Sequence, residues 1–344
     1  MTDRFNKSFE FDHLSIGGSS RCVIIAEAGV AHFGKLKTAF RLVDLAVDGG
    51  ADIFKMQHFY PEKLVGSRDQ HWFSRMSSRA IPDEWVLQIK KRCDKRGIPF
   101  LCTAHDRKAL DFLDSQVGVP AFKIGSGEIE NWEFIAEVLS RGKPVILSTG
   151  MYTRNDVLHV IGLAEQSGQS NLALLHCVTS YPTNPSEVNL RAMDWMRTVF
   201  SGPIGYSDHT AGHEIPIAAV ARGAQIIEKH ITIDFGIPDA QDWKVSCGPD
   251  DFANFVQSVR NAERAIGTGN KIVSDEELIA RQWARKSITA IRDLSEGELL
   301  TRDSVEMLRP GDGLSPANLT WALGRPLSRD IPEGQALQIE DFAK

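Results

Sequence analysis

The chain has 344 residues, 42% of them hydrophobic and 24% charged, with a net charge of -6. That is too long for one ordinary domain and enough for a barrel of roughly 250 residues plus a small module. The composition is that of a soluble globular protein, and the negative balance argues against a nucleic-acid backbone as the main partner. A local cluster of lysines can still oppose the global sign and receive an anionic substrate. The five cysteines, Cys22, Cys93, Cys102, Cys177 and Cys247, are scattered, form no C-x-x-C pair and mostly sit in apolar runs, as expected of reduced core residues in a cytoplasmic protein. Residues Met1 to Ser20 lack the apolar core of a signal peptide, and no stretch is apolar and long enough to span a membrane.

From Cys22 to Ile266, short apolar runs alternate with amphipathic stretches. The runs are Cys22–Gly29, Ala51–Gln57, Ile98–Ala104, Ala121–Gly125, Lys143–Thr149, Leu172–Cys177, Pro203–Ser207 and Gln225–His230. They are continuous rather than alternating, the pattern of strands buried on both faces of a parallel sheet. Leu36, Phe40, Val43 and Val47 recur at helical spacing, and Gly49-Gly50 stop them. Pro82-Asp83 opens a second helix, through Trp85, Ile89 and Cys93 to Gly97. Asp250 to Ile266 is the last of the set. Strand–helix units repeated in this way predict a (β/α)8 TIM barrel over residues 1–268, with an open doubly wound α/β sheet as the alternative. Residues 269–284, in a stretch rich in Gly, Lys and Ser, read as a linker. In residues 285–344, β-like runs (Ser287–Ile291, Ser304–Leu308) alternate with turn-rich pieces such as Arg309-Pro-Gly-Asp-Gly313. This β-rich module is small for an independent core, and it is expected to lean on the barrel or on another subunit.

Such barrels carry their chemistry at the C-terminal strand ends. His209 closes Pro203-Ile-Gly-Tyr-Ser-Asp-His209, and His230 closes Gln225-Ile-Ile-Glu-Lys-His230. One such histidine is ordinarily a hydrogen-bonded core residue. Two in register on neighbouring strands suit a divalent first-row metal such as Mn2+, Fe2+, Co2+ or Zn2+. The other strand ends offer Glu27, Lys55, Gln57, Thr103, Lys123-Ile-Gly-Ser-Gly-Glu128, Ser148 and Ser207. Gly-Ser-Gly alone is a tight turn. With Lys123 before it and Lys55 across the barrel it reads as a phosphate cradle: glycines admit backbone N–H groups, Ser126 donates, and the lysines supply charge. Glu27 reads either as the ion-pair partner of a barrel lysine or as an acid or base beside the phosphate. Asp208 and Glu228 flank the histidines in sequence; strand alternation can point them away, and roles behind the metal are the weaker reading. His32, His58 and His105 fall near the rim, within reach of substrate. His13, His71, His159 and His213 read as surface or helix residues.

Taken together, Ile25-Ala-Glu-Ala-Gly-Val-Ala-His32-Phe-Gly34, Lys55-x-Gln57, Lys123-Ile-Gly-Ser-Gly-Glu128, Leu147-Ser-Thr-Gly-Met151, Leu175-His-Cys177, Tyr181-Pro-Thr183, Gly205-Tyr-Ser-Asp-His-Thr210 and Glu228-Lys-His230 resemble the sialic acid synthase family. The tail, Arg285-Lys-Ser287, Asp293-Leu-Ser-Glu-Gly-Glu298 and Arg309-Pro-Gly-Asp-Gly313, resembles the antifreeze-like (SAF) domain that follows the barrel in those enzymes. The resemblance covers nearly the whole chain in the same order. It implies a transferase that forms a C–C bond between phosphoenolpyruvate and an N-acylated hexosamine, giving a nonulosonic acid and phosphate. It implies Mn2+, or Mg2+ or Co2+ in its place, on His209 and His230. By the same resemblance Glu27 handles water or the developing positive charge. Lys55, Thr103, Lys123, Ser126, Ser148 and Ser207 match positions that grip phosphoenolpyruvate. Gln57, Tyr181 and Asp242 match positions near the metal or the sugar. Arg309 matches an arginine that reaches into the partner's barrel in a domain-swapped homodimer.

The chain departs from the family pattern at Ala31, at Ala104-His105, at Thr179 and in the loop 231–246, where aligning Asp242 needs a one-residue insertion. These departures cluster where the sugar is expected and leave the metal and phosphate groups intact. The alternatives are a synthase acting on a shorter aldose phosphate, against which the tail argues, and an inactive saccharide-binding scaffold, against which Glu27, Lys55, Lys123, His209 and His230 argue.

Overall fold

The structure is a computed structural model and describes residues 4–66, 68–237 and 242–343. The chain divides into two compact units, Met1–Gly267 and Thr268–Lys344.

The first unit opens with an antiparallel hairpin, β1 (Ser8–Phe11) and β2 (Leu14–Gly17). Eight parallel strands follow: β3 (Val23–Glu27), β4 (Ile53–His58), β5 (Phe100–Ala104), β6 (Phe122–Ile124), β7 (Val145–Ser148), β8 (Leu172–Cys177), β9 (Ile204–Asp208) and β10 (Ile226–His230). β10 pairs with both β9 and β3, which closes the barrel. Each strand lies within, or one residue beyond, one of the apolar runs. The runs are continuous because one face of each strand meets the helices and the other meets the barrel interior.

Two separate apolar clusters record those faces. The outer one joins residues such as Ile24, Phe54, Phe100, Phe122 and Tyr206 to the surrounding helices. The helix Leu36–Asp48 contributes Ala39, Leu42, Val43 and Ala46 at helical spacing. The helix Asp83–Arg96 contributes Val86, Ile89 and Cys93; acidic Asp83 and Glu84 occupy its first turn, and Gly97 ends it in the left-handed region at φ +70°.

The inner cluster is the floor of the barrel: Val23, Ile25, Ile53, Leu101, Ala121, Ile146, Ala173, Leu175 and Ile226. Phe9, Phe11 and Ile16 of the hairpin belong to it. The N-terminal segment is therefore a plug, built from apolar residues spaced two apart on β1. This element is not apparent from the mixed composition of residues 1–20. On most strands the inward residue two places past the floor is polar: Glu27 after Ile25, Lys55 after Ile53, Thr103 after Leu101, Lys123 after Ala121, Ser148 after Ile146 and Glu228 after Ile226. A period of two thus turns a dry floor into a polar upper layer within one strand length.

The second unit has its own small core, made of Ile288, Ala290, Leu294, Leu300, Val305, Leu314, Ala322, Leu327, Ile331, Leu337 and Phe342. Its antiparallel pair is β11 (Ser287–Ala290) and β12 (Val305–Leu308). The segment 269–284 is not an irregular linker throughout. Asp275–Ala284 is a helix, started by a capping box in which Ser274 and Glu277 exchange side-chain-to-backbone bonds. Among the described residues no helix is long and apolar enough to cross a membrane.

Candidate active site

Register brings the strand-end groups side by side. Glu27 stands opposite Lys55 on β4 and opposite His230 on β10, while Ser207 stands opposite Glu228. Gln57 pairs with Thr103, and Thr103 with Lys123. The result is a cavity of about 170 Å³ at the C-terminal end of the barrel, lined among others by Glu27, Lys55, Gln57, Thr103, Lys123, Ser126, Ser148, Tyr181, Ser207, His209 and His230. A volume this small, under the ordinary range for drug-sized ligands, suits a compact anion.

The lysines are nearly sealed, at 3% exposure each. Lys55 Nζ lies 2.8 Å from Glu27 Oε2 and 3.5 Å from Glu228 Oε2. Lys123 Nζ donates to Ser148 Oγ at 2.7 Å and lies 3.8 Å from Glu228 Oε1. Glu27 is thus the ion-pair partner of a barrel lysine, and its other oxygen, Oε1, accepts from Gln57 Nε2 at 3.2 Å. Glu228 points into the cavity, not away from it, because it shares the inward face of β10 with Ile226 and His230. Ser207 Oγ donates to its Oε1 at 3.0 Å. Asp208 does turn outward. It meets Lys229 Nζ at 2.6 Å in a sealed pair behind the strands.

Burial disfavours every charge here; pairing overrides it at Glu228 and Lys55 but not at Lys123. Burial would lift the Glu228 carboxyl, but Lys123 and Lys55, helped by His230 and the Ser207 hydroxyl, hold it down at about 2. Burial works against the Lys55 ammonium, yet Glu228 and Glu27 raise it above its ordinary value. Lys123 is lowered by burial, and Lys55 adds to this while Glu228 and Glu27 oppose it. Apart from the Lys55 ammonium, Glu27 Oε2 and Glu228 Oε2 meet no hydrogen-bond donor among the described residues. A carboxylate oxygen with one donor keeps a lone pair for an incoming water or hydroxyl.

At the rim the His209 and His230 rings lie 5.4 Å apart. His209 Nδ1 is 2.7 Å from the Val178 carbonyl. A carbonyl only accepts, so Nδ1 carries the proton and Nε2 presents its lone pair to the cavity. There Nε2 accepts from the Tyr181 hydroxyl at 2.9 Å. Two imidazoles, one held in the ligating tautomer, beside the Glu27 carboxylate fit a divalent ion. Asp242 opens the turn Asp242–Val245 at the same rim. A Cβ on Gly29, which has φ +51°, would sit 3.4 Å from Glu27 Oε1, 3.6 Å from Asp242 Oδ2 and 3.7 Å from Gln57 Nε2. Glycine there lets three polar groups converge.

His105, Cys177 and Thr179 also line the cavity. His105 lies 3.6 Å from Glu128 Oε1 through Nδ1, and its Nε2 is buried without a hydrogen bond. Its signal in the sequence was its place just past a strand end. His32 and His58 are buried but do not line the cavity, and His58 is paired with Asp83 at 3.0 Å. Arg309 follows β12 in the second unit and is exposed. Residues 238–241 of the divergent loop lie outside the described residues.

The NeuB family matches residues 42–271, and the SAF domain matches residues 285–343. The chain belongs to the NeuB family. It is 37% identical to the N,N'-diacetyllegionaminic acid synthase of Legionella pneumophila, over 94% of this chain and 95% of that one. It is 32% identical to the pseudaminic acid synthase of Campylobacter jejuni, over 93% and 96%. The crystal structure of the N-acetylneuraminic acid (sialic acid) synthetase of Leptospira borgpetersenii, in complex with citrate, is similar at a TM-score of 0.74 and 33% identity, covering 79% of this chain and 94% of that one.

Proposed function

We propose that this protein is a nonulosonic acid synthase, condensing phosphoenolpyruvate with the open-chain form of an N-acylated hexosamine. The observation that carries this reading is the pair of buried ammonium groups, Lys55 and Lys123, converging with hydroxyls on one small cavity below two rim histidines. Lys123, Lys55, Thr103, Ser126, Ser148 and Ser207 hold the phosphoryl and carboxylate groups of phosphoenolpyruvate. Its C3 attacks the sugar aldehyde carbon, whose oxygen takes up the carbonyl electron pair and a proton to become a hydroxyl; the new C–C bond leaves positive charge at C2, water adds there with loss of a proton, and the C–O bond to phosphate then breaks as the second water proton leaves and the C2 ketone forms. Glu27, already bonded to Gln57 and beside Lys55, faces C2; it stabilises that charge and takes the proton of the entering water. His209 and His230 would hold a divalent ion, Mn2+ by preference and Mg2+ or Co2+ in its place, which would supply Lewis-acid polarisation of the aldehyde. Gln57, Tyr181 and Asp242 orient the sugar, next to the divergent Ala31, His105 and Thr179. The reading includes a cytoplasmic location, supported by five free, buried cysteines.

The same reading makes the active unit a swapped homodimer in which Arg309 of one chain completes its partner's barrel. Supporting it, Ile279 and Trp283 lie one turn apart on the helix Asp275–Ala284 and stand 63% and 61% exposed, an apolar pair that a second subunit can cover.

The deciding experiment measures phosphate release from phosphoenolpyruvate across a panel of N-acylated hexosamines, with mass spectrometry of the product. A nine-carbon keto-deoxy acid is expected with at least one of them. Release only with a short aldose phosphate, or none with any sugar, would overturn the reading.

A further inference from the structure

Outside the barrel mouth, three side chains of different chemistry point at one spot. His213 precedes the helix Glu214–Ala221, and Asp251 precedes the helix Phe252–Ile266. Cys247 lies between the turn Asp242–Val245 and Asp251. One donor atom from each of the three lies within 4.8 Å of the other two. His213 Nε2 is 3.5 Å from Cys247 Sγ and 3.3 Å from Asp251 Oδ2. A tetrahedral zinc ion with ordinary bond lengths separates its N and S ligands by about 3.6 Å and its N and O ligands by about 3.3 Å. The separations found here are those of two edges of such a tetrahedron.

The donors are also held in place. The Cys247 backbone is pinned on both sides: its N–H donates to the His230 carbonyl at 2.8 Å, and its carbonyl accepts from Thr232 at 2.9 Å. Gly248 N–H donates to Asp251 Oδ1 at 2.6 Å, which leaves Oδ2 turned to His213. The His213 ring packs on Phe255 at 5.3 Å. The neighbouring Lys229 ammonium is neutralised by Asp208 at 2.6 Å, so it does not repel a cation. A thiolate, a carboxylate and a neutral imidazole together balance a divalent charge. Asp251 is half exposed, which leaves a solvent-side position for water as the fourth ligand.

We propose that His213, Cys247 and Asp251 form a second divalent-cation site, distinct from the His209–His230 pair and suited to zinc-like ions by its thiolate. On binding, the thiol proton leaves to solvent as the S–metal bond forms. The ion ties the segment after His209 to the segment after His230, and so fixes the two loops that carry the rim histidines.

The test uses the full-length protein, stripped with a chelator and titrated with Co2+. Cobalt thiolates show an intense near-ultraviolet charge-transfer band that imidazole and carboxylate complexes lack. The parent protein is expected to develop this band and to lose it when Zn2+ displaces Co2+. Cys247→Ser should abolish it. His213→Gln and Asp251→Asn should each weaken Co2+ binding by about tenfold or more, whereas His209→Ala should leave the band in place. No band in the folded parent protein overturns the proposal. So does a band that survives Cys247→Ser and vanishes in Cys177→Ser, since Cys177 Sγ lies 3.7 Å from His209 Nδ1 and the ion would then sit at the barrel mouth. If Cys247→Ser does not fold, His213→Gln decides, and unchanged Co2+ affinity there overturns the proposal equally.

Discussion

Glu228 shows at the scale of one residue how this site is held ready. Its carboxylate lies between two buried ammonium groups, 3.5 Å from Lys55 and 3.8 Å from Lys123. On the proposed reading it supplies, in the free protein, the negative charge that a substrate phosphate would bring later. Removing one partner of a buried pair leaves an uncompensated charge, at a cost of about 3–5 kcal/mol. Glu228→Gln is therefore expected to lower stability by about 3 kcal/mol at neutral pH, read by chemical denaturation. The folded carboxyl is held at about 2, below its ordinary 4.5, so its contribution is present in full above pH 4.5 and is lost as pH falls toward 2. The gap between parent and variant should narrow across that window, and inorganic phosphate should narrow it at neutral pH by replacing the missing charge. A gap that is constant with pH and indifferent to phosphate would make Glu228 an ordinary packing residue. Lys123→Ala addresses the opposite charge. It should raise the Michaelis constant for phosphoenolpyruvate far more than that for the sugar if, as proposed, the ammonium grips the phosphoryl group.

Single elements do two jobs because a strand has a period of two. β10 places Ile226 in the dry floor, then Glu228 and His230 in the polar layer, while Lys229 faces outward to Asp208. A slip of one residue would put Lys229 inside and both site residues among the helices. The floor depends on the N-terminal hairpin, where Phe11 and Ile16 have no exposed surface. Phe11→Ala should cost about 3–5 kcal/mol, the range for a large aromatic removed from a core. Activity below the unfolding temperature should be nearly unchanged, because the floor lies a full layer beneath Lys55 and Lys123. A loss under about 1 kcal/mol would mean that the hairpin merely covers the barrel and does not plug it.

For the whole molecule, the proposed swapped dimer makes a prediction that no single-chain arrangement shares. Glu27→Ala and Arg309→Ala homodimers should both be inactive. In a mixed dimer, the barrel of the Arg309→Ala chain receives an intact arginine from the Glu27→Ala chain, and the other site carries both defects. Co-expression should then restore activity, up to half per mixed dimer. No restoration, with mixed dimers shown to form, would assign Arg309 to its own barrel or to none. The barrel was legible in the sequence because its strands are buried on both faces and its helices carry caps and stops, features that act over a few residues. The strand-end groups were legible for the same reason: a run such as Gln225–His230 announces both the strand and the histidine that ends it. The hairpin plug was not, since Phe9, Phe11 and Ile16 have meaning only against a floor assembled from eight distant strands. Nor was the inward aim of Glu228, or the meeting of His213 with Cys247 and Asp251. Local chemistry written within a few residues was determined by the sequence alone. Which side of a strand faces the cavity, and which loops end beside each other, was decided only by strand register in the assembled barrel, which aligns neighbouring units such as β9 with β10 and, at the closing seam, β10 with β3.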